Sequence, residues 1–343
     1  MAKNKVKNKL ELVSVIIPMY NEEKYINGLI DSLIRQDYAI DKYEIIFVDG
    51  NSKDRTVNII KSRLDKKKYD YKILNNKKKI TPVALNIGIK NAKNDIIIRL
   101  DAHSEYPSNY ISKCVYYLNN VDADNVGCIL ETQNSGRMGE AISNVLSSKF
   151  GVGNSKFRTN SKSGYVDTVP FGTFRRELFD KIGYFNENLP RNQDSEFNSR
   201  IIKNGGKIYM FNDIKITYHP RDTIIKLSKM AIMNGKWNLY TNYLVPGSMK
   251  IRHFVPFIFV ITLLLGIIGC ILNIGFIKIL FFVELAIYIL LDIIYSFKSV
   301  KSRGLIVSIL SLIIYPIFHI TYGFGTFLGI FMIFANKRRR SLK

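Results

Sequence analysis

Apolar and polar positions along the first part of the chain predict a strand followed by a helix. Val13–Ile17 is a short run rich in β-branched residues, which is typical of a strand. After it, apolar residues recur at the i, i+3, i+4, i+7 spacing of an amphipathic helix, at Ile26, Leu29, Ile30, Leu33 and Ile34. Asn21 is a favourable N-cap, and Glu22 and Glu23 complement the positive end of the helix dipole, so we expect the helix to begin there.

The same unit then repeats. Further strands are predicted at Glu44–Val48, Tyr71–Leu74 and Asp95–Leu100. One helix between them carries Val57, Ile60 and Leu64, and another begins at Thr81 and Pro82 and runs through Ala92. Strands that alternate with helices of this length specify an α/β fold, with a parallel sheet covered on both faces.

From residue 254 the pattern changes to long apolar stretches. Phe254–Ile277 contains no charged residue, Ile279–Phe297 contains only Glu284 and Asp292, and Leu305–Asn336 is again uncharged. Stretches of this length predict membrane segments. The opposing interpretation, a soluble all-helical core, would require three apolar helices with no polar face for water.

The third apolar stretch permits two arrangements in a bilayer. A helix over Leu305–Asn336 would be about 48 Å long, which exceeds the roughly 30 Å hydrocarbon core. Pro316 and the glycines Gly323, Gly325 and Gly329 favour a bend that keeps both ends on the cytosolic side. The alternative is a straight, tilted crossing.

These changes in character divide the chain into five parts. We predict a basic leader (1–12), an α/β domain (13–222), an interfacial linker (223–253), a membrane domain (254–336) and a basic tail (337–343). The formal net charge is +22, but no nucleic-acid-binding signature accompanies the basic residues, so nucleic acid is not an expected partner. Beside apolar segments, this charge favours an anionic membrane surface. The scattered cysteines Cys114, Cys128 and Cys270 indicate neither a disulfide framework nor a zinc site.

Polar clusters follow three of the predicted strands, where ligands of parallel sheets bind. Asp101 and His103 are two residues apart at such a strand end, so both can converge on a divalent cation, Mn2+ or Mg2+, held mainly by a diphosphate. The alternative is an aspartate that caps a turn beside a solvated histidine. Asp49 and Asp54 follow another strand and can accept hydrogen bonds from a base or a ribose, although Asp54 can equally cap the next helix.

A second polar cluster precedes a helical pattern near residue 194. Asp194 and Glu196 lie where that helix begins, with Arg191 beside them. A carboxylate there can act as a general base, and Arg191 can orient an anionic group. The alternative is again a helix cap. Upstream, Gly172 and Thr173 lie in a segment rich in Pro, Gly and aromatic residues that can line an acceptor pocket or form a plain hairpin connection.

Six short motifs occur in order and resemble those of family-two inverting glycosyltransferases of the glycosyltransferase-A fold. They are SVIIPMYNEE, VDGNSKDRT, ALNIG, RLDAHSEYP, VPFGTFRRE and RNQDSEFNSR, and they cover roughly residues 12–222. The DAH triplet, the NQDSE motif and the IRHFVP run are most similar to the succinoglycan-type glucosyltransferases of exopolysaccharide assembly. The resemblance implies an α/β nucleotide-sugar domain followed by C-terminal transmembrane helices.

The resemblance also implies roles for individual residues. The donor, a UDP-sugar, would be bound by Pro18, Tyr20, Glu22, Asp49, Asp54, Asn86 and Asp101. Asp101 and His103 would serve the metal and the diphosphate, and Asp194 would be the general base. Gly172, Thr173, Arg191 and Glu196 would lie on the acceptor side.

Two departures from the family pattern refine this expectation. His103 stands where the second acid of the usual metal motif is found, and no QxxRW motif of processive synthases follows Asp194. We therefore expect transfer of one sugar to a lipid-linked acceptor, by a multi-pass protein of the cell membrane with a cytosolic catalytic domain. The alternatives are a polyprenyl-phosphate sugar transferase and a catalytically inactive membrane scaffold.

Overall fold

The chain forms two compact units. The computed structural model describes residues 11–67, 69–159, 161–219 and 222–341. The first unit comprises the residues up to Cys128 together with Ser163–Pro190 and Arg200–Ile216. The second comprises Ile129–Lys162, Arg191–Ser199 and the chain from Thr217 onward. The catalytic segment and the C-terminal helices predicted from the sequence are thus not separated at one point of the chain, and the functional boundaries of the five parts stay a prediction.

The strands and helices follow one another in chain order as expected. The strands are β1 (Val13–Met19), β2 (Tyr43–Asp49), β3 (Tyr71–Asn75), β4 (Ile96–Arg99), β5 (Ser104–Glu105), β6 (Asn125–Thr132), β7 (Gly164–Tyr165), β8 (Thr173–Arg175) and β9 (Ile208–Tyr218). The helices are α1 (Ile26–Ile34), α2 (Thr56–Leu64), α3 (Thr81–Lys90), α4 (Tyr110–Asn120), α5 (Gly136–Ser147), α6 (Lys149–Val152), α7 (Glu177–Ile182), α8 (Gln193–Lys203), α9 (Ile224–Leu244), α10 (Val255–Ile271), α11 (Gly275–Phe297), α12 (Val300–Arg303) and α13 (Leu305–Ser341).

The strands form a mixed sheet. Its order is β3-β2-β1-β4-β8-β6-β9-β5, and β7 pairs with β9. The four strands predicted from the N-terminal pattern are parallel, as expected. Beyond them, β8 runs antiparallel to both β4 and β6, which the sequence pattern did not predict. The predicted α/β fold is confirmed.

Burial on both faces explains the continuous apolar runs of the central strands. Val15, Ile16 and Ile17 of β1 are fully buried. Helix α3 approaches β1 closely, because a Cβ on Gly88 would lie only 2.4 Å from Cγ2 of Ile16. Parallel strands covered on both faces lose the apolar and polar alternation of half-exposed strands.

The first helix begins later than predicted. Tyr25 is its N-cap, and the helix starts at Ile26 rather than after Asn21. Asn21 instead has a φ of +54°, and its side-chain oxygen accepts a hydrogen bond from the backbone N–H of Lys53. The N-cap prediction was wrong because the loop after β2 binds this side chain.

In the second unit, α9 and α13 pack against each other through glycines. A Cβ on Gly235 would lie 2.1 Å from the carbonyl oxygen of Tyr322, and one on Gly325 would lie 2.1 Å from that of Ile232. Gly329 approaches the carbonyl oxygen of Lys236 in the same way, at 2.8 Å. Small residues let two helix backbones approach closely. The segment predicted to be an interfacial linker is therefore largely a helix packed on α13.

Helix α13 is continuous through Pro316. The expected bend that returns the segment on itself is wrong, because the glycines that suggested it lie in helix contacts. Gly325 and Gly329 contact α9, and a Cβ on Gly323 would lie 2.3 Å from the carbonyl oxygen of Pro256 in α10. The first two apolar segments also divide earlier than predicted, between Ile271 and Gly275, where Asn273 has a φ of +60°.

One helix among the described residues is long and apolar enough to span a membrane, over Leu305–Ala335. Of its most apolar stretch, 44% is buried inside the structure, so a large part of this helix contacts protein. Helices α10 and α11 instead expose large apolar side chains along their length, including Ile271 and Phe276. Membrane association and several membrane crossings both stay predictions.

Candidate active site

The loops that follow β1 and β2 are joined by hydrogen bonds. The backbone N–H of Asn21 donates to Oγ of Ser52 at 2.9 Å. The carboxylate of Asp49, at the end of β2, accepts from the backbone N–H of Ser52 at 3.1 Å and from its hydroxyl at 2.6 Å. Asn21 and Asn51 both adopt left-handed backbone conformations. Such conformations in non-glycine residues cluster at functional sites, where the surroundings hold them.

Asp54 is held within the same pair of loops. One carboxylate oxygen accepts from the backbone N–H and the hydroxyl of Thr56, at 3.1 and 2.6 Å, and the other accepts from the backbone N–H of Glu23 at 3.0 Å. Burial raises the pKa of Asp54, but the hydrogen bonds from Thr56 and Glu23 outweigh it and hold this pKa below its usual value. Asp54 thus binds the first residue of α2, but the N-cap residue of that helix is Arg55, whose side chain makes no capping hydrogen bond. The contact of Asp54 with a donor stays a prediction.

An aromatic ring lies exposed beside these loops. Tyr20 follows β1 and is 42% exposed, with its ring against Gly50 and 5.2 Å from the ammonium nitrogen of Lys79. Pro18 lies near the end of β1, opposite Val48 of β2. An exposed ring next to an amino group offers a stacking surface for a base.

A cluster of charged side chains lies just beyond β4. Oδ1 of Asp101 pairs with Nη2 of Arg99 at 3.1 Å, and Oδ2 of Asp101 lies 4.0 Å from Nε2 of His103. The other ring nitrogen of His103 lies 3.5 Å from Oε1 of Glu22. The structure thus brings together Glu22, Asp101 and His103, which were predicted from separate motifs.

Tyr106 binds the backbone of Asp101, and Arg99 binds its carboxylate. The backbone N–H of Asp101 donates to the hydroxyl of Tyr106 at 2.7 Å, and burial raises the pKa of Tyr106, so this hydroxyl stays protonated. Arg99 is buried, and its backbone N–H donates to the carbonyl oxygen of Gly172. Its guanidinium lies 5.3 Å from the ring centre of Phe171. Arg99 and Tyr106 were not predicted from the sequence, although Arg99 is the first residue of the RLDAH motif.

The described residues contain no group of three or more His, Cys, Asp or Glu side chains arranged to hold a metal ion. Asp101 and His103 can together supply at most a carboxylate oxygen and an imidazole nitrogen on one side of the cluster. Mg2+ and similar ions often keep several waters and take substrate phosphates as ligands. The residues present therefore fit a cation carried by a diphosphate better than one in an all-protein cage.

Two other predicted residues of the first unit have structural partners. Asn86 is buried in α3, where its side chain exchanges hydrogen bonds with the backbone of Phe185, at 2.9 and 3.0 Å, and donates to Glu187. Thr173 is fully buried in β8. Gly172 allows close packing, because a Cβ there would lie 2.3 Å from Oδ1 of Asn125. The predicted ligand contacts of Asn86, Gly172 and Thr173 stay predictions.

The remaining predicted residues lie in the second unit, around the start of α8. Asp194 is in the first turn of this helix and is partly buried, and Glu196 is buried. Asn192, which precedes the helix, has a φ of +62°. A partly buried carboxylate at a helix N-terminus is well placed for proton transfer, and equally for capping.

Helix α9 holds the loop before α8. Nη1 of Arg191 donates to the side chain of Asn234 at 3.0 Å, and Nδ2 of Asn192 donates to the side chain of Asn238 at 2.6 Å. Asn238 in turn donates to the hydroxyl of Tyr322 in α13. Sequence reasoning missed these partners, although the spacing of Asn234 and Asn238 places them on one helix face.

Comparison with known proteins identifies the family. The sequence profile described as glycosyl transferase family 2 matches residues 14–183. A Methanococcus voltae protein named dolichyl N-acetyl-alpha-D-glucosaminyl phosphate 3-beta-D-2,3-diacetamido-2,3-dideoxy-beta-D-glucuronosyltransferase is 30% identical, over 66% of this chain and 72% of that protein. The succinoglycan biosynthesis protein ExoA of Rhizobium meliloti is also 30% identical, over 62% of this chain and 64% of its own length.

Among solved structures, the mannosyltransferase PcManGT from Pyrobaculum calidifontis, in complex with GDP-Man and Mn2+, is similar with a TM-score of 0.58. The identity is 17%, over 94% of this chain and 86% of that one, so the likeness shows a shared fold. The structural likeness shows the α/β fold of the glycosyltransferase-A type, and the sequence similarities show that this chain belongs to glycosyl transferase family 2.

Proposed function

We propose that this protein transfers one sugar from a UDP-sugar to a lipid-linked acceptor in the assembly of a cell-surface polysaccharide or exopolysaccharide, with inversion at the anomeric carbon. The observation that carries the proposal is the cluster of Glu22, Asp101 and His103 beyond β4, in a chain of this family. The exposed ring of Tyr20 and the carboxylate of Asp49 would bind the uridine end of the donor.

A divalent cation, Mn2+ or Mg2+, would neutralise the diphosphate that leaves with the nucleoside. Asp101 would hold it through Oδ2, because Oδ1 already pairs with Arg99. His103 would assist on the same side, and Glu22 would orient the His103 ring from the opposite nitrogen. The buried Arg99 keeps the Asp101 carboxylate in one orientation, which limits the reorganisation needed when the donor binds.

Asp194 would take the proton from an acceptor hydroxyl. The hydroxyl oxygen then forms a bond to the anomeric carbon while the bond from that carbon to the diphosphate oxygen breaks on the opposite face. This single displacement inverts the configuration and needs no covalent enzyme intermediate. The position of Asp194 in the first turn of α8, with its loop held by α9, supports this role.

The lipid-linked acceptor is supported by the exposed apolar side chains of α10 and α11 and by the names of the relatives, one of which is a transferase acting on a dolichyl-linked sugar phosphate. Cytosolic nucleotide sugars would require the catalytic residues to face the cytosol, in a multi-pass protein of the cell membrane. Arg191 and Glu196 would then lie on the acceptor side of Asp194.

A donor screen tests the proposal. Purified full-length protein in detergent is supplied with single nucleotide sugars, Mn2+ and either a polyprenyl-diphosphate-linked sugar or polyprenyl phosphate, and nucleoside diphosphate release is measured. We expect release with a UDP-sugar and the diphosphate-linked acceptor. Release only with polyprenyl phosphate would identify a polyprenyl-phosphate sugar transferase, and no release with any donor would favour an inactive scaffold.

A further inference from the structure

Arg158, in the second unit, is a cation that lies over two aromatic rings. The central carbon of its guanidinium lies 5.4 Å from the ring centre of Phe157 and 5.8 Å from that of Tyr218. All three side chains are partly buried. In the part of the chain that the structure describes, no carboxylate pairs with this guanidinium and no oxygen accepts a hydrogen bond from it. None of the residues proposed for sugar transfer explains this arrangement.

Backbone hydrogen bonds keep the two rings in place. The carbonyl oxygen of Phe157 accepts from the N–H of Leu130 at 2.9 Å, and that of Tyr218 accepts from the N–H of Gln133 at 3.1 Å. Both donors belong to the end of β6 and the residue after it. The N–H of Arg158 donates to the carbonyl oxygen of Ser155 at 3.0 Å, which closes a turn. Hydrogen bonds therefore hold the backbone that carries the two rings and the guanidinium.

The charge on this group has a cost in free energy. Burial lowers the pKa of Arg158 and the neighbouring Tyr218 raises it, but an arginine stays protonated at neutral pH. A cation that is partly removed from water without an anionic partner is unfavourable. Stacking on rings occupies the faces of the guanidinium and leaves its in-plane N–H groups for a bidentate anion such as phosphate.

The loop before Arg158 contacts the turn that precedes the apolar helices. A Cβ on Gly153 would lie 3.2 Å from Cβ of Arg252, which belongs to the turn Ile251–His253 directly before α10. Gly153 lies five residues before Arg158. The segment that carries Arg158 therefore also contacts the turn before the exposed apolar helices α10 and α11, which favours an anion that a membrane lipid carries.

We propose that Arg158, which lies over the rings of Phe157 and Tyr218, binds a phosphate oxygen of the lipid-linked acceptor. This rests on the proposed function only for the identity of the acceptor, because the binding itself involves no sugar transfer. The phosphate would fix the lipid end of the acceptor, while the sugar hydroxyl is free to reach the general base.

Equilibrium binding tests this without turnover. Full-length protein in detergent is titrated with radiolabelled undecaprenyl phosphate in the absence of any nucleotide sugar. We expect Arg158→Gln to weaken binding by at least about tenfold, the loss typical of a charge-assisted hydrogen bond. Lys162→Gln is the matched control, because it removes one exposed positive charge four residues away, and it should bind like the unmodified protein. Unchanged binding by Arg158→Gln would overturn the proposal.

Further arms separate the sources of phosphate. Titration with UDP should show no dependence on Arg158, and a tenfold loss of UDP binding in Arg158→Gln would assign the residue to the donor and overturn the proposal. Inorganic phosphate at the concentration of the lipid should not displace the lipid, and full displacement would show a site for free phosphate and overturn the proposal. If Arg158→Gln does not fold, Arg158→Lys decides, since it keeps the charge but loses the bidentate geometry and should weaken binding severalfold. Failure of sugar transfer in the donor screen, with this binding intact, would refute the proposed function alone.

Discussion

Asp194 is the residue on which the proposed chemistry depends most directly. Asp194→Asn keeps the size of the side chain but cannot take a proton. We expect turnover to fall by at least about a hundredfold, the low end for loss of a general base. Nucleotide-sugar binding should stay near normal, because the predicted donor residues belong to the first unit. Steady-state kinetics and donor titration measure the two quantities.

The control for this substitution is Glu177→Gln. Glu177 forms an exposed ion pair with Lys181 on α7, and pairs of this kind contribute little to stability. Its turnover should equal that of the unmodified enzyme. Near-normal turnover in Asp194→Asn would eliminate Asp194 as the base.

Asp101 is the single residue on which the proposed metal dependence rests. EDTA should abolish turnover, and Mn2+ or Mg2+ should restore it, because an anionic diphosphate leaving group needs charge neutralisation. Asp101→Ala should lose this restoration, whereas Asp180→Ala, at an exposed position of α7, should retain it. Full activity in chelator, or in Asp101→Ala, would refute a metal site at this residue.

At the scale of elements, α9 connects α13 to the loop that precedes Asp194. Asn238→Leu removes the acceptor of the Asn192 side chain, so the left-handed backbone of Asn192 loses one of its restraints. We expect kcat to fall by about tenfold, the effect of losing roughly 1.4 kcal/mol of positioning, with the KM for the donor unchanged. Tyr322→Phe should act in the same direction but less strongly.

Lys229→Ala, at an exposed position of α9, is the control for the Asn238 substitution and should leave both constants unchanged. An increase in the donor KM with constant kcat in Asn238→Leu would show that α9 acts on donor binding instead.

The close packing of α9 against α13 should contribute to the stability of the protein. In Gly325→Ala the added Cβ would lie 2.1 Å from the carbonyl oxygen of Ile232, so the helices must separate. We expect a loss of about 1–3 kcal/mol, typical of overpacking, measured as a lower unfolding temperature in detergent. Gly275→Ala adds a methyl group where no atom lies within 4 Å and should change little. Equal stability of the two variants would contradict this packing.

At the scale of the whole molecule, the contacts of α13 bear on membrane topology. Gly325 of α13 contacts Ile232 of α9, and Gly329, four residues later, contacts Lys236. The contacts follow the same order along both helices, so the two helices run parallel. If α13 crossed the bilayer as a straight helix, Lys229 and Lys236 of α9 would be drawn toward the hydrocarbon. Each lysine there costs at least about 2.5–3.5 kcal/mol. We therefore expect both ends of α13 to stay on the cytosolic side, with α10 and α11 forming the embedded hairpin.

Cysteine labelling in intact cells measures this topology. In a variant that lacks the native cysteines, Ser341→Cys should resist an impermeant thiol reagent. Asn273→Cys, between α10 and α11, should react from outside and so shows that the reagent reaches the protein. Ready labelling of Ser341→Cys would exclude this topology.

The N-terminal sequence was sufficient for the α/β class and for its first strands and helices. Periodicity predicted β1 to β4 and α1 to α3 to within a few residues, because local hydrophobic spacing records which face of each element is buried. The sequence also predicted that the side chains of Asp101 and His103 lie on the same side, since both residues follow the same strand. These properties depend on residues close together in the chain.

Contacts between distant residues could not be derived in this way. Asn21 matches an N-cap by its local sequence, yet it binds a loop more than thirty residues away. The glycines of α13 match helix breakers, yet they lie where α9 and α10 approach. The hydrogen bonds from Asn192 to Asn238 and from Asn238 to Tyr322 join a loop to two helices that are distant in the chain. A local pattern records the preference of a residue, whereas folding selects the partner that satisfies it.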